Sequence, residues 1–239
     1  MEEKLKISLV LLPGLVCDDA VWADQITALS PVADCLVADY GDIDSLGAMA
    51  EHVLSIAPKQ FALAGHSMGG RVAFEIMRRA PERVTKLALM DTRMHARPDG
   101  ELGDKEAAGR YELLGIARTQ GMRAMGTQWV QGMVHPGRLN DEALIAAILD
   151  MIERKTPAIF EAQIHALLNR LDAAEVLAAV RVPLLVLCGR DDAWSPLHWH
   201  EQMAQTIPGA RLVAIDQCGH MATMERPAEV SAALLEWLA

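Results

Sequence analysis

Phe61-Ala62-Leu63-Ala64-Gly65-His66-Ser67-Met68-Gly69-Gly70 is the stretch on which the reading of this chain turns. Its first four residues form a short, continuous apolar run ended by a glycine, the pattern of a strand buried on both faces. Beyond it, Val72, Ala73, Ile76, Met77 and Ala80 recur on one face of a helix that opens at Ser67 and stops before Pro81. A strand that turns so abruptly into a helix leaves room only for small residues on either side of the turn, here Gly65 and Gly69, and lifts the serine hydroxyl to the top of the sheet. The Met68 N–H then lies at a helix N-terminus, where it can donate to a developing oxyanion. Alone, G-x-S-x-G could be a glycine-rich turn that merely ends a strand. Its strand–turn–helix setting selects Ser67 as a nucleophile.

The same alternation extends outward in both directions. Ile7–Leu12, Cys35–Ala38, Lys86–Met90 and Leu184–Cys188 read as further buried strands, with Arg211–Ile215 as a weaker sixth. Leu46, Met49, Ala50, Val53 and Ala57 mark a helix before the central strand, and Pro227 opens a last one that buries Val230, Leu234 and Trp237. Strands alternating with helices predict an α/β protein with a doubly wound, mainly parallel sheet of about six strands. From about residue 92 to 171 the alternation fails. Leu113–Ala117, Met122–Met133, Leu144–Ile152 and Ile159–Leu171 look helical, punctuated by Gly100, Gly103, His135-Pro136-Gly137 and Thr156-Pro157. The expected organisation is a core of residues 1–91 and 172–239, with 92–171 inserted between two strands as a helical lid of short helices.

Composition excludes several classes of function. Of the 239 residues 51% are hydrophobic and 23% charged, which places the chain among globular proteins. The formal net charge of −10, with no basic run, argues against nucleic acid or an anionic membrane as partner. Cys17, Cys35, Cys188 and Cys218 are scattered without a C-x-x-C pair, so neither a zinc site nor a redox motif is expected. Ile7–Leu12 is too short to span a membrane, and Pro13-Gly14 ends it without a signal-peptide cleavage site. A cytoplasmic location is the expectation.

A serine hydroxyl needs a base within hydrogen-bond reach. Among eight histidines, His220 follows the last strand and precedes the last helix, on the sheet edge where ligands bind in such folds. His66 adjoins the serine but is expected to point away from it. His198 and His200 lie two apart on a helix and face different sides, a poor metal pair. His52, His95, His135 and His165 read as surface or satisfied polar positions. The base in turn needs a carboxylate to set its tautomer. Asp191 and Asp192 follow the strand Leu184–Cys188, and Asp91 ends the strand Lys86–Met90, so all three are candidates.

Several stretches together resemble the α/β-hydrolase superfamily, in particular its small capped esterases and lactonases. They are Leu12-Pro13-Gly14-Leu15 followed by Trp22, the Gly65–Gly70 turn, Ala80-Pro81-Glu82-Arg83-Val84, Gly189-Arg190-Asp191-Asp192 and Gly219-His220. The order Ser67, Asp192, His220 is that of the family's serine, acid and histidine. In such families the acid stands three residues after the glycine that ends its strand, which implies Asp192. The resemblance also implies a second oxyanion donor, the backbone N–H of Leu15, following Pro13-Gly14 where a His-Gly pair is usual. The proline removes a side chain that usually braces this loop. Few residues precede Ile7, so the antiparallel edge strands common in the family are expected to be missing.

These parts imply a covalent acyl-enzyme mechanism on a small or medium ester, thioester or lactone, without metal or organic cofactor. Met94, Met122, Met125, Met133 and Trp129 either suit an apolar acyl group or pack the lid onto the body, with Met122, Met125 and Trp129 as candidate pocket residues. A C–C bond hydrolase or lyase would use the same triad, with Arg93 and Arg97 available for a substrate carboxylate. A ligand-binding receptor retaining the fold is the alternative outside enzymes.

Overall fold

The computed structural model describes residues 6–239. Six strands form one sheet: β1 (Ile7–Leu12), β2 (Ala33–Val37), β3 (Phe61–His66), β4 (Val84–Met90), β5 (Leu184–Gly189) and β6 (Arg211–Ile215). Their order is β2-β1-β3-β4-β5-β6 and every pairing is parallel. No antiparallel strand accompanies them among the described residues. Six strands in a parallel sheet agree with the sequence expectation. The boundaries shift by a residue or two, because the ladder extends past the apolar run wherever a neighbour can pair. Thus β3 continues through Gly65 and His66 against Leu89 and Met90.

Between the strands run α1 (Ala23–Leu29), α2 (Leu46–Ile56) and α3 (Met68–Arg79). The chain steps from β1 to β2 and then crosses back over β1 to β3. Right-handed crossovers in opposite directions place α1 on one face and α2 and α3 on the other. Consistent with this, α2 packs on α3. The reversal leaves a crevice between the C-terminal ends of β1 and β3, where ligands bind in open α/β sheets. The loop after β1 and the turn after β3 carry Leu15 and Ser67 to that crevice.

After β4 come four consecutive helices, α4 (Glu101–Gln120), α5 (Met122–Trp129), α6 (Glu142–Glu153) and α7 (Pro157–Leu168), then the short α8 (Ala174–Ala178) before β5. The first is longer than the glycines suggested. It runs for 20 residues through Gly103, Gly109 and Gly115. A glycine inside a helix costs only about 1 kcal/mol relative to alanine, and packing of α4 against α5 and α7 supports the helix despite three of them. After β5 follow α9 (Leu197–Thr206), β6, α10 (Ala222–Glu225) and α11 (Pro227–Leu238), the last packed on α1. Among the described residues no helix is long and apolar enough to cross a membrane.

Candidate active site

Ser67 stands between β3 and α3 with φ 55° and ψ −115°. A non-glycine residue held there costs of order 1–3 kcal/mol, so the surroundings must enforce it. They do so by excluding bulk. A β-carbon on Gly65 would lie 2.5 Å from the Gly69 carbonyl oxygen, and one on Gly69 would lie 2.0 Å from that of Leu12. The Ser67 N–H donates to the Met90 carbonyl at 2.8 Å, and the Thr92 hydroxyl donates to the Ser67 carbonyl at 2.9 Å.

The Ser67 hydroxyl is 2.7 Å from Nε2 of His220, and Nδ1 of that ring is 2.8 Å from Asp192 Oδ2. The other Asp192 oxygen accepts from the N–H groups of Trp194 and Ser195 at 2.8 and 2.9 Å. Burial works against the Asp192 charge, but the His220 ring and these two amides prevail and hold its pKa below the ordinary value. Asp191 is half exposed and lies 3.8 Å from His135, away from His220. Asp91 is wholly buried, and Gly189 N–H donates to its Oδ1 at 2.9 Å. Burial first and the nearby Asp192 second push the Asp91 carboxyl well above its usual range. A group that resists ionisation so strongly is not suited to orient a cationic imidazole.

The histidine loop is clamped from below. Glu225 is buried, and one of its carboxylate oxygens accepts from Gly219 and Met221 N–H while the other accepts from His135 N–H. His66, expected to point away, instead turns inward. Its Nε2 donates to the His220 carbonyl at 2.8 Å, and its ring lies 5.5 Å from that of His220. Burial lowers the His66 pKa to about 4, so the ring is neutral near pH 7 and makes no ion pair with the neighbouring Asp91. The inward turn follows from β3 extending through His66 in the middle of the sheet, where both faces are covered.

Above Ser67 opens a cavity of about 860 Å³, walled by the sheet edge on one side and the inserted helices on the other. Leu15 and Met68 line it beside Ser67. Of the three candidate pocket residues, the structure brings only Trp129 there. Met122 and Met125 do not line the cavity; they are buried in the insert. All three share one helical face, but the body of α5 is packed between α4 and α6, and only its last residue reaches the opening. Met133 also lines the cavity; Arg93 does too, whereas Arg97 does not. Sequence reasoning missed Trp194, which stacks on Trp129 with ring centres 5.2 Å apart and stands 4.9 Å from His220. Its position two residues past Asp192 places it near the site, but nothing local says which way the ring faces.

Among the described residues no cluster of His, Cys, Asp or Glu could hold a metal ion.

Comparisons with known proteins bear on the family and the fold. The pimeloyl-[acyl-carrier protein] methyl ester esterase of Nitrosomonas europaea is 28% identical over 235 residues, covering 92% of this chain and 90% of that protein. A thermophilic esterase from Thermogutta terrifontis, solved with malate bound, superposes with a TM-score of 0.83 at 28% identity, over 97% of this chain and 89% of the other. An enol-lactonase from Burkholderia xenovorans LB400 shares the fold, with a TM-score of 0.81 at 22% identity over 100% and 93% of the two chains. The model of the alpha/beta hydrolase family matches residues 9–233, and the chain belongs to that family.

Proposed function

We propose that this protein is a serine hydrolase that cleaves a small or medium carboxylic ester, thioester or lactone through an acyl-enzyme. The observation that carries the reading is the unbroken hydrogen-bond chain from Ser67 through His220 to Asp192, ending on a serine held at positive φ. In the first half-reaction His220 Nε2 takes the hydroxyl proton as Ser67 Oγ attacks the carbonyl carbon. The backbone N–H groups of Leu15 and Met68 stabilise the resulting oxyanion. Collapse expels the alcohol or thiol, which leaves with the proton held on His220. Water then repeats the sequence, His220 removing its proton as it attacks the acyl carbon, and the acid departs as Ser67 regains its own. Asp192 keeps the imidazole in the tautomer with Nε2 free and stabilises its cation.

The esterase names of the relatives at 28% identity support an ester-like bond. Within this reading the inserted helices, residues 92–171, serve as the lid of the site. Trp129 and Trp194 form the aromatic wall for the acyl or leaving group. The substrate is a small molecule.

Fluorophosphonate labelling followed by peptide mass analysis should modify Ser67, and Ser67→Ala should lower kcat on a p-nitrophenyl ester by about 10⁴-fold or more. Labelling at another residue would overturn the assignment. A wild-type protein that binds but never turns over such esters would point to a receptor instead.

A further inference from the structure

The cavity above Ser67 has a cationic arm that ester hydrolysis does not require. Arg71, Arg93, Arg110, Arg170 and Lys105 all line it, in a protein whose net charge is −10. Among the described residues only one carboxylate pairs with them there, that of Glu106. Asp91 also lines the cavity, but burial pushes its carboxyl well above the usual range and it pairs with none of these cations.

Three guanidinium groups share that single acid. Arg170 makes a bidentate pair with Glu106 at 2.7 Å to each oxygen, Arg110 donates to it at 3.1 Å, and Arg93 approaches within 3.3 Å. Arg71 makes no ion pair among the described residues, although Asp172 and Glu106 act on it from farther away. It is almost fully buried, and two of its nitrogens donate to the carbonyls of Arg93 and His95. Lys105 makes no ion pair among the described residues. Burial, then repulsion from Arg170 and Arg93, brings Arg71 down to about 9; burial, then Arg170, brings Arg93 down to about 10. Both remain protonated near neutral pH.

The arm is a built feature. Arg170 is 5% exposed and its buried Nε has no partner. The Arg93 guanidinium stands over the Trp199 ring, 4.5 Å from its centre, which holds it at the cavity wall. Each guanidinium carries five N–H donors, so the four cannot be satisfied by Glu106 and the neighbouring carbonyls. Arg71 is four residues past Ser67 on α3, about 6 Å along the axis. The cationic arm therefore begins one helical turn from the nucleophile.

We infer that this arm is a subsite for a carboxylate carried by the substrate a short chain away from the scissile carbonyl. The inference rests on the ester-hydrolase reading of Ser67 and narrows its substrate class to acidic esters or lactones. Planar guanidinium groups match a carboxylate with paired N–H donors. An incoming carboxylate would bring the missing counter-charge, whereas a neutral ester would leave the cations uncompensated.

The test compares monomethyl adipate and a glycolic acid ester, which carry the carboxylate on the acyl and alcohol sides, with uncharged esters of matched length. One or both charged esters should show a kcat/KM about ten- to a hundredfold higher than the neutral counterpart, the range of a charge-assisted contact. That ratio should fall about tenfold or more in Arg93→Gln, whose side chain is partly exposed. As a measurement independent of turnover, adipate should raise the Tm of Ser67→Ala, and the added Arg93→Gln change should reduce the rise. Equal turnover of charged and neutral esters would overturn the subsite while leaving the hydrolase reading intact. Absence of all ester turnover, with adipate still bound, would overturn the hydrolase reading and retain an acid-binding cavity. Tighter binding of inorganic phosphate than of adipate would overturn the choice of a carboxylate.

Discussion

At Ser67 the chain spends conformational energy to aim one oxygen, and the neighbouring residues show how closely that aim is supported. Asp192 is the most informative of them, because each of its oxygens has separate partners. Oδ1 accepts two backbone N–H groups and Oδ2 faces His220 Nδ1. Asp192→Asn can keep the two backbone bonds while presenting an NH₂ to His220. That favours the tautomer with the proton on Nε2, which cannot accept the serine proton. The variant should keep nearly the wild-type Tm and lose about 10⁴-fold in kcat on a p-nitrophenyl ester. A loss below tenfold would mean that another group orients His220. At this scale the serine, the histidine and the pair Asp191–Asp192 could be read from local pattern. The inward turn of His66 and the stacking of Trp194 could not, since neither residue carries a local signature that says which way it faces.

The loop between β1 and α1 shows the same limit for whole elements. It carries Leu15, and where the family usually has a bracing histidine this chain has Pro13. The brace comes from a remote element. Gln163 on α7 is 2% exposed, accepts from the Val16 N–H through Oε1 at 2.8 Å, and donates to the Gly41 carbonyl at 3.2 Å. Val16 itself is held at φ 51°. An inserted helix thus holds the residue next to the proposed oxyanion donor, and Gln163 is read as a positioning residue. If the Leu15 amide acts mainly on the transition state, Gln163→Ala should lower kcat by about tenfold with KM changed less than twofold. Gln163→Glu, which retains the acceptor, should recover part of the loss. Equal falls in activity and in the fraction of folded enzyme, with no change in kcat per folded molecule, would reduce Gln163 to a packing role.

Across the whole molecule, buried titratable groups tie stability to pH. Burial holds His66 and His200 at about 4, against 6.5 for the ordinary side chain. Between those values the unfolded chain binds protons that the folded protein refuses, so stability is full above about pH 6.5 and declines as pH falls toward 4. Asp91 works in the opposite direction, because burial raises its pKa and favours proton binding in the fold over the unfolded chain. Two histidines against one such carboxyl leave a net loss on acidification. His200 accepts from the Thr92 N–H at Nε2, a bond that a glutamine oxygen can replace. Urea unfolding across this range should show a positive slope of stability with pH, reduced in His200→Gln by up to about 1.4 kcal/mol per pH unit, one proton's worth. An identical slope in both proteins would assign the acid lability to other groups. By itself the sequence determined the alternation of strands and helices, the turn at Ser67 and the histidine after the last strand. Periodicity and turn chemistry are properties of neighbouring residues, so a short window contains the forces that set them. Only the tertiary structure decided that Trp129 and not Met122 or Met125 faces the cavity, that Gln163 braces a loop 147 residues away, and that three arginines from three separate segments converge on one glutamate. Those outcomes depend on how packed elements dock, and the docking is set by the summed fit of the whole core.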